Sequence, residues 1–251
     1  MKKYFVVLRW IDLLYLILFG VILYVYLRSD TGVPEITNIL FGFFFVAAVI
    51  FFYIYRWQNY TLRFIGEFAK KYNFKSTDLK LSDLASTNNE IDLFNTQGDA
   101  RIANYYRNDK VAIYNYRLPA VISTDYDRKN EQSLPTWFIV FDFQLSNDFE
   151  PITILNKKDS RKFKVIHHRP LITTESNQFN SRYLVYGKDR KTILEVIDPI
   201  MMSALIDCSY DLNFEISGNR LLIYKCSKPI SVDFIDYIYQ FGQKMVVRLG
   251  K

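Results

Sequence analysis

Hydrophobic and polar positions change their rhythm along this chain. Two continuous apolar runs come first, Tyr4–Leu27 and Ile36–Tyr55, separated by the eight residues RSDTGVPE. The second run is 20 residues without a charge. At about 1.5 Å per residue it spans roughly 30 Å, the thickness of a hydrocarbon layer. Phe51, Phe52, Tyr53, Tyr55 and Trp57 crowd its far end, as rings do where lipid meets water. The first run is interrupted by Arg9 and Asp12, which share a helix face and can pair, with Arg9 reaching to the near surface. The pattern predicts a transmembrane helical hairpin over about 4–27 and 36–55. A cleaved signal peptide, which Met1-Lys2-Lys3 would suit, is disfavoured by the early charges, the missing small-residue cleavage site and the second run.

After Arg56 the period becomes helical. Thr61, Phe64, Ile65, Phe68 and Tyr72 recur at three and four, with Arg63, Glu67, Lys70 and Lys71 on other faces. This amphipathic helix either rests on headgroups or packs on the domain that follows, and its sequence does not separate the two. Ser76–Asn89 is polar and turn-rich, a connector. From Ile91 the period falls to two. Arg101–Tyr106 and Lys110–Tyr116 flank Arg107-Asn108-Asp109 as a hairpin, and 117–135 is a charged loop. Trp137, Ile139, Phe141, Phe143 and Leu145 then alternate with Phe138, Val140, Asp142 and Gln144, the strongest strand pattern in the chain. Pro151–Leu155 is a shorter apolar run. Arg182–Tyr186 reads as a strand and Lys191–Ile197 as a helical turn or two. Asp198-Pro199 opens a helix with an apolar face of Ile200, Met201, Ala204, Leu205 and Cys208. Leu212–Ile216 and Arg220–Lys225 around Ser217-Gly218-Asn219 read as a second hairpin, and Ser231 caps a final helix.

The expected fold class is α+β: an N-terminal two-helix transmembrane hairpin, then one mainly antiparallel sheet domain with helices on one face. The expected divisions are the hairpin over 1–57, a juxtamembrane amphipathic helix and connector over 58–90, and a cytoplasmic α+β domain over 91–251. Composition agrees with a folded chain, at 50% hydrophobic and 17% aromatic residues. The net charge of +6 is unevenly spread: 56–80 holds six Lys or Arg against two Asp or Glu, while 81–251 is nearly balanced. Basic residues just beyond an apolar span suit anionic headgroups, which makes Arg56, Arg63, Lys70 and Lys71 the predicted membrane-surface residues. A nucleic-acid binder would spread its cations over the domain, so no nucleic-acid partner is expected. With Lys2, Lys3 and Arg9 at the other end, the positive charge places both termini on the cytoplasmic side.

Three segments taken together resemble a widespread bacterial family of uncharacterised two-helix membrane-anchored proteins: KVAIYNYRLP, the block Phe179–Asp207 (FNSRYLVYGKDRKTILEVIDPIMMSALID), and the FEISGNRLLIYK stretch after it. The resemblance implies a two-helix membrane anchor and brings no catalytic residues with it; with the apolar hairpin and its flanking charge, the expected location is the bacterial inner membrane, as a multi-pass protein. This chain adds a charged insertion at 123–135 between two strands.

Candidate chemistry is sparse. His167 and His168 are the only histidines and, adjacent on an extended segment, point to opposite faces. Cys208 and Cys226 lack C-x-x-C spacing and read as small buried apolar residues. Asp125, Asp127 and Glu131 lack the spacing of a calcium loop. Phosphate-binding glycine motifs are missing. Tyr105, Tyr106, Tyr114 and Tyr116 suit cross-strand packing better than base stacking. The most basic stretch of the domain supplies the predicted anion or headgroup contacts: Lys157, Lys158, Arg161, Lys162, Lys164, His168 and Arg169. No cofactor, metal or catalytic residue is expected. The expected role is a domain that binds a protein partner or the lipid bilayer. The alternative is a membrane-bound enzyme acting on a lipid or polyphosphorylated substrate through 157–169.

Overall fold

The computed structural model describes residues 64–77, 91, 93–94, 101–118, 136–160, 169–208, 210–226 and 231–250. All belong to one compact unit, Asn59–Lys251. Its elements in chain order begin with helix α1 (64–71), then strands β1 (Lys75–Ser76), β2 (Arg101–Arg107), β3 (Val111–Leu118), β4 (Thr136–Asn156) and β5 (Leu171–Ile172). Helix α2 (Asn177–Arg182), strand β6 (Tyr183–Gly187), helices α3 (Arg190–Val196) and α4 (Pro199–Asp207), strand β7 (Asn213–Cys226) and helix α5 (Val232–Leu249) complete it.

The seven strands form one sheet in the order β1-β2-β3-β4-β6-β5, every pairing antiparallel, with β7 alongside β4. The predicted β2–β3 hairpin is present. Asn108 makes its turn: the side-chain Oδ1 accepts from the Lys110 and Val111 N–H groups at 3.1 and 2.8 Å. Asn104, at φ 54°, sits in a bulge of β2.

Two expectations about strands change. The runs 137–145 and 151–155 are two halves of a single 21-residue strand, β4. The predicted second hairpin does not exist, because 213–226 is one strand running along β4 through both halves. Gly218, at φ +54°, makes a bulge where four β4 residues, 145–148, lie opposite Asn219 alone. The bulge shifts the alternation in both strands together. Ile139, Phe141 and Phe143 face the helices before it, Ile152 and Ile154 after it; in β7, Phe214 and Ile216 on one side of Gly218 share that face with Leu221 and Ile223 on the other.

That face carries the main core, to which all five described helices contribute, including Ile65, Phe68 and Ala69 of α1. Helix α1 therefore packs on the domain. It ends at Asn73, at φ 56°, with Phe74 N–H donating to the Ala69 carbonyl at 2.8 Å. The opposite face holds a second cluster of Tyr105, Tyr114, Tyr116, Phe138, Val140 and Tyr224, closed by Ile91, Leu93 and Phe94. Both faces of β4 are thus buried.

The structure corrects the expected fold class and the expected multi-pass inner-membrane location. No helix among the described residues is long and apolar enough to cross a membrane. The longest of them, α5, has 18 residues but carries Asp233, Asp236, Lys244 and Arg248, which mark a helix with one wet face. What is present is a mainly antiparallel sheet with helices. The runs 4–27 and 36–55, on which the hairpin was predicted, lie outside the described residues.

Candidate functional site

Helix α4 is held at both ends by arginine. At its start, Asp198 is the N-cap: its Oδ1 accepts from Met201 N–H at 2.8 Å, with Pro199 at the first helical position. The other carboxylate oxygen, Oδ2, accepts from the Arg248 guanidinium of α5. Burial pushes the Asp198 carboxyl up, but the Met201 N–H and Arg248 more than offset this and hold it below the usual range. At the far end, Arg182 donates to the carbonyls of Ile206, Cys208 and Tyr210 at 2.6, 2.8 and 3.3 Å. The Ile206 and Cys208 carbonyls are acceptors that a helix end leaves without partners, at the negative end of its dipole, whereas the Tyr210 carbonyl, beyond the helix, also accepts from Leu212 N–H at 3.1 Å.

Helix α5 begins at Ser231, whose Oγ accepts from Phe234 N–H at 3.1 Å. Its middle lies hard against β4: a Cβ added at Gly242 would fall 2.1 Å from Cζ of Phe143. Its end meets the β4 bulge, where Asn147 Nδ2 donates to the Leu249 carbonyl at 3.4 Å. So the sheet's irregularity receives the C-terminus of the last helix.

Between α4 and α5 an open groove of about 410 Å3 is lined by Ile200 and Ala204 from one helix and by Phe241, Lys244, Met245, Val247 and Arg248 from the other. Phe241 and Met245 are buried and form its floor, whereas Ile200 and Val247 are 64% and 65% exposed. Ile200 was expected in the core with the rest of the α4 face. Instead Met201, Leu205 and Cys208 are buried and Ile200 stands in solvent. Lys244 is exposed and has no ion-pair partner among the described residues.

The residues predicted for anion contact do not gather into a described site. Lys157 is exposed in the turn after β4. Lys158 pairs with Asp211 at 2.9 Å, and Arg169 Nη1 donates to Thr153 Oγ1 at 3.2 Å. Arg161, Lys162, Lys164 and His168 lie outside the described residues. Asp211 joins Lys158, Asn156 and Arg182, so this cationic corner is partly neutralised from within. Burial raises the Asp211 carboxyl, and Lys158 and its other cationic neighbours more than compensate, leaving it lowered. Of the predicted membrane-surface residues, Lys70 is exposed. Lys71 bonds Asp236 of α5 at 2.6 Å, which raises its pKa. Arg56 and Arg63 lie outside the described residues.

Other polar groups serve the fold. Arg220 pairs with Asp142 through two nitrogens, both side chains nearly buried, and the guanidinium lies 5.8 Å from the Phe94 ring centre. Glu215 accepts from Leu93 N–H at 3.1 Å and from the Tyr224 hydroxyl at 2.7 Å. Tyr105 and Tyr114 stack at 5.6 Å inside the second cluster, as cross-strand packing requires. Cys208 lies in the main core and Cys226 packs against the second cluster. Among the described residues, no group of three or more His, Cys, Asp or Glu is placed to hold a metal.

No family model and no curated protein matches the chain. Among solved structures, the crystal structure of the mycobacterial trehalose monomycolate transport factor A, TtfA, is similar at 13% identity and a TM-score of 0.42, over 75% of this chain and 92% of that one. A likeness at that score carries no argument about this chain.

Proposed function

We propose that this domain is a binding module whose docking surface for a protein partner is the groove between α4 and α5. The observation that carries the reading is the pair Ile200 and Val247, both about two-thirds exposed and both lining a groove that also includes the buried Phe241 and Met245. Single exposed apolar residues are ordinary, but two on neighbouring helices above an apolar cleft form a patch that water solvates poorly. The walls are also held in place before any partner arrives. Arg182 and the Asp198–Arg248 pair fasten α4, and the contact of Gly242 with Phe143 seats α5. A preformed surface loses little freedom on binding.

The test is site-specific photo-crosslinking of the full chain in its own cells, with the probe at position 200, at 247, or at the exposed control Lys188. Protein adducts are expected at 200 and 247, not at 188, and are expected to vanish when Ala204→Arg fills the groove. Equal adducts at all three positions, or adducts that survive Ala204→Arg, would refute the reading.

A further inference from the structure

We infer that the occupant of this groove is an amphipathic helix bearing carboxylates beside its apolar stripe. This rests on the binding-module reading and adds the chemistry of the partner. Two features of the groove carry it.

The first is the nature of the walls. Phe241, Lys244, Met245 and Arg248 recur along α5 at three and four, and Ile200 and Ala204 are four apart on α4. Each wall is thus one stripe of a helix, and the backbone N–H and C=O groups inside a helix are already bonded to one another. Such walls offer an extended peptide no main-chain partners, and its amides would be desolvated without compensation. A helical occupant satisfies its own backbone and presents only side chains, and Ala204 leaves room for it to approach.

The second feature is charge. Lys244 and Arg248 stand one turn apart on the same stripe as the apolar floor. Arg248 shares its charge with Asp198, while Lys244 has no ion-pair partner among the described residues. An apolar cleft edged by the uncompensated ammonium of Lys244 favours an apolar stripe edged by carboxylates and disfavours one edged by lysines.

The experiment uses the full chain and three synthetic amphipathic helical peptides of about 16 residues, long enough to hold a helix. They share one leucine stripe, flanked in turn by glutamate, glutamine or lysine, and binding is read by fluorescence anisotropy. The glutamate peptide is expected to bind about tenfold more tightly than the lysine peptide at low ionic strength, a gap that narrows as salt screens exposed charges. Lys244→Glu is expected to remove that preference, and Ile200→Asp to weaken all three peptides. Equal binding of the three, unaffected by Lys244→Glu, overturns the carboxylate inference while the module reading stands. Other occupants would overturn it as well: self-association abolished by Ile200→Asp assigns the groove to a second copy, and competition by phosphatidylglycerol vesicles assigns it to lipid. Failure of every peptide, with position-specific crosslinks intact, also overturns the helix inference.

Discussion

Replacing Arg182 with Met tests how α4, and with it one wall of the groove, is held. The guanidinium donates to three carbonyls beyond and within the last turn of α4, at 2.6, 2.8 and 3.3 Å, and lies 3.6 Å from Asp211. A hydrogen bond to a charged group contributes roughly 1.5–3 kcal/mol, and a cation at a helix C-terminus roughly 0.3–1 kcal/mol. These do not add, since one group makes all of them and its side chain is 28% exposed. The expected loss for Arg182→Met is therefore about 2–4 kcal/mol, most of it from the Ile206 and Cys208 carbonyls, since the Tyr210 carbonyl keeps the Leu212 N–H. Arg182→Lys keeps the charge but a single ammonium cannot span the fork, so about half the loss remains. Urea unfolding of the full chain, followed by near-ultraviolet circular dichroism, measures both. With a slope of about 2 kcal/mol per M, the Met variant should lower the midpoint by about 1–2 M. A Met variant within about 0.5 kcal/mol of the parent would sit in the range of ordinary surface substitutions and refute the argument.

Four further outcomes follow from other contacts of the domain. Gly242→Ala drives a methyl into the Phe143 ring and should cost about 1–3 kcal/mol. Phe143→Leu in the same chain should recover part of this in thermal melts, and no recovery would argue against the close approach as the cause. Asp198→Ala removes the cap of α4 and frees Arg248. A loss of about 1–2 kcal/mol is expected, because a cap contributes roughly that and a pair about one-third exposed adds little. On the acid side, Asp198 and Asp211 have lowered pKa values in the fold, so their contribution is present above the unfolded carboxyl value near ~4 and is lost as pH falls through the lowered folded values. On the alkaline side, burial pushes the Tyr183 hydroxyl up to about 12. Its contribution is whole below the unfolded value near ~10 and is lost as pH rises towards 12. Tyr183→Phe should flatten that limb in a pH series of melting midpoints.

Much of the sheet was legible in the residues because alternation is a local signal. Trp137 to Leu145 show their period of two without knowledge of any partner, and Asn108 announces the β2–β3 turn through its own side chain. What lay beyond was set by partners distant in the chain. Asp142 reads as the wet end of a strand, yet it is nearly buried against Arg220, 78 residues away. Ser217-Gly218-Asn219 signals a positive φ, and positive φ serves a bulge as well as a turn. Only the register with β4 decides between them. Helix α2 was missed because at six residues it shows too little period, its one marker being Ser176, whose Oγ accepts from Phe179 N–H. The groove was missed for a related reason. Ile200, Met201, Met202, Ala204, Leu205 and Ile206 make α4 apolar almost all round, so spacing alone could not single out Ile200 as the one in solvent. The α5 stripe could have been noticed, since Lys244 and Val247 interrupt and extend its apolar face.

The measurement closest to the central claim is the Ile200→Asp variant of the full chain, melted and crosslinked side by side with the parent. Ile200 is 64% exposed, so its replacement should leave the melting midpoint within about 1–2 °C of the parent, as surface changes do. The protein adducts formed from a probe at 247 should disappear. Adducts that persist at full yield beside an unchanged midpoint would contradict the assignment of the groove as the docking surface.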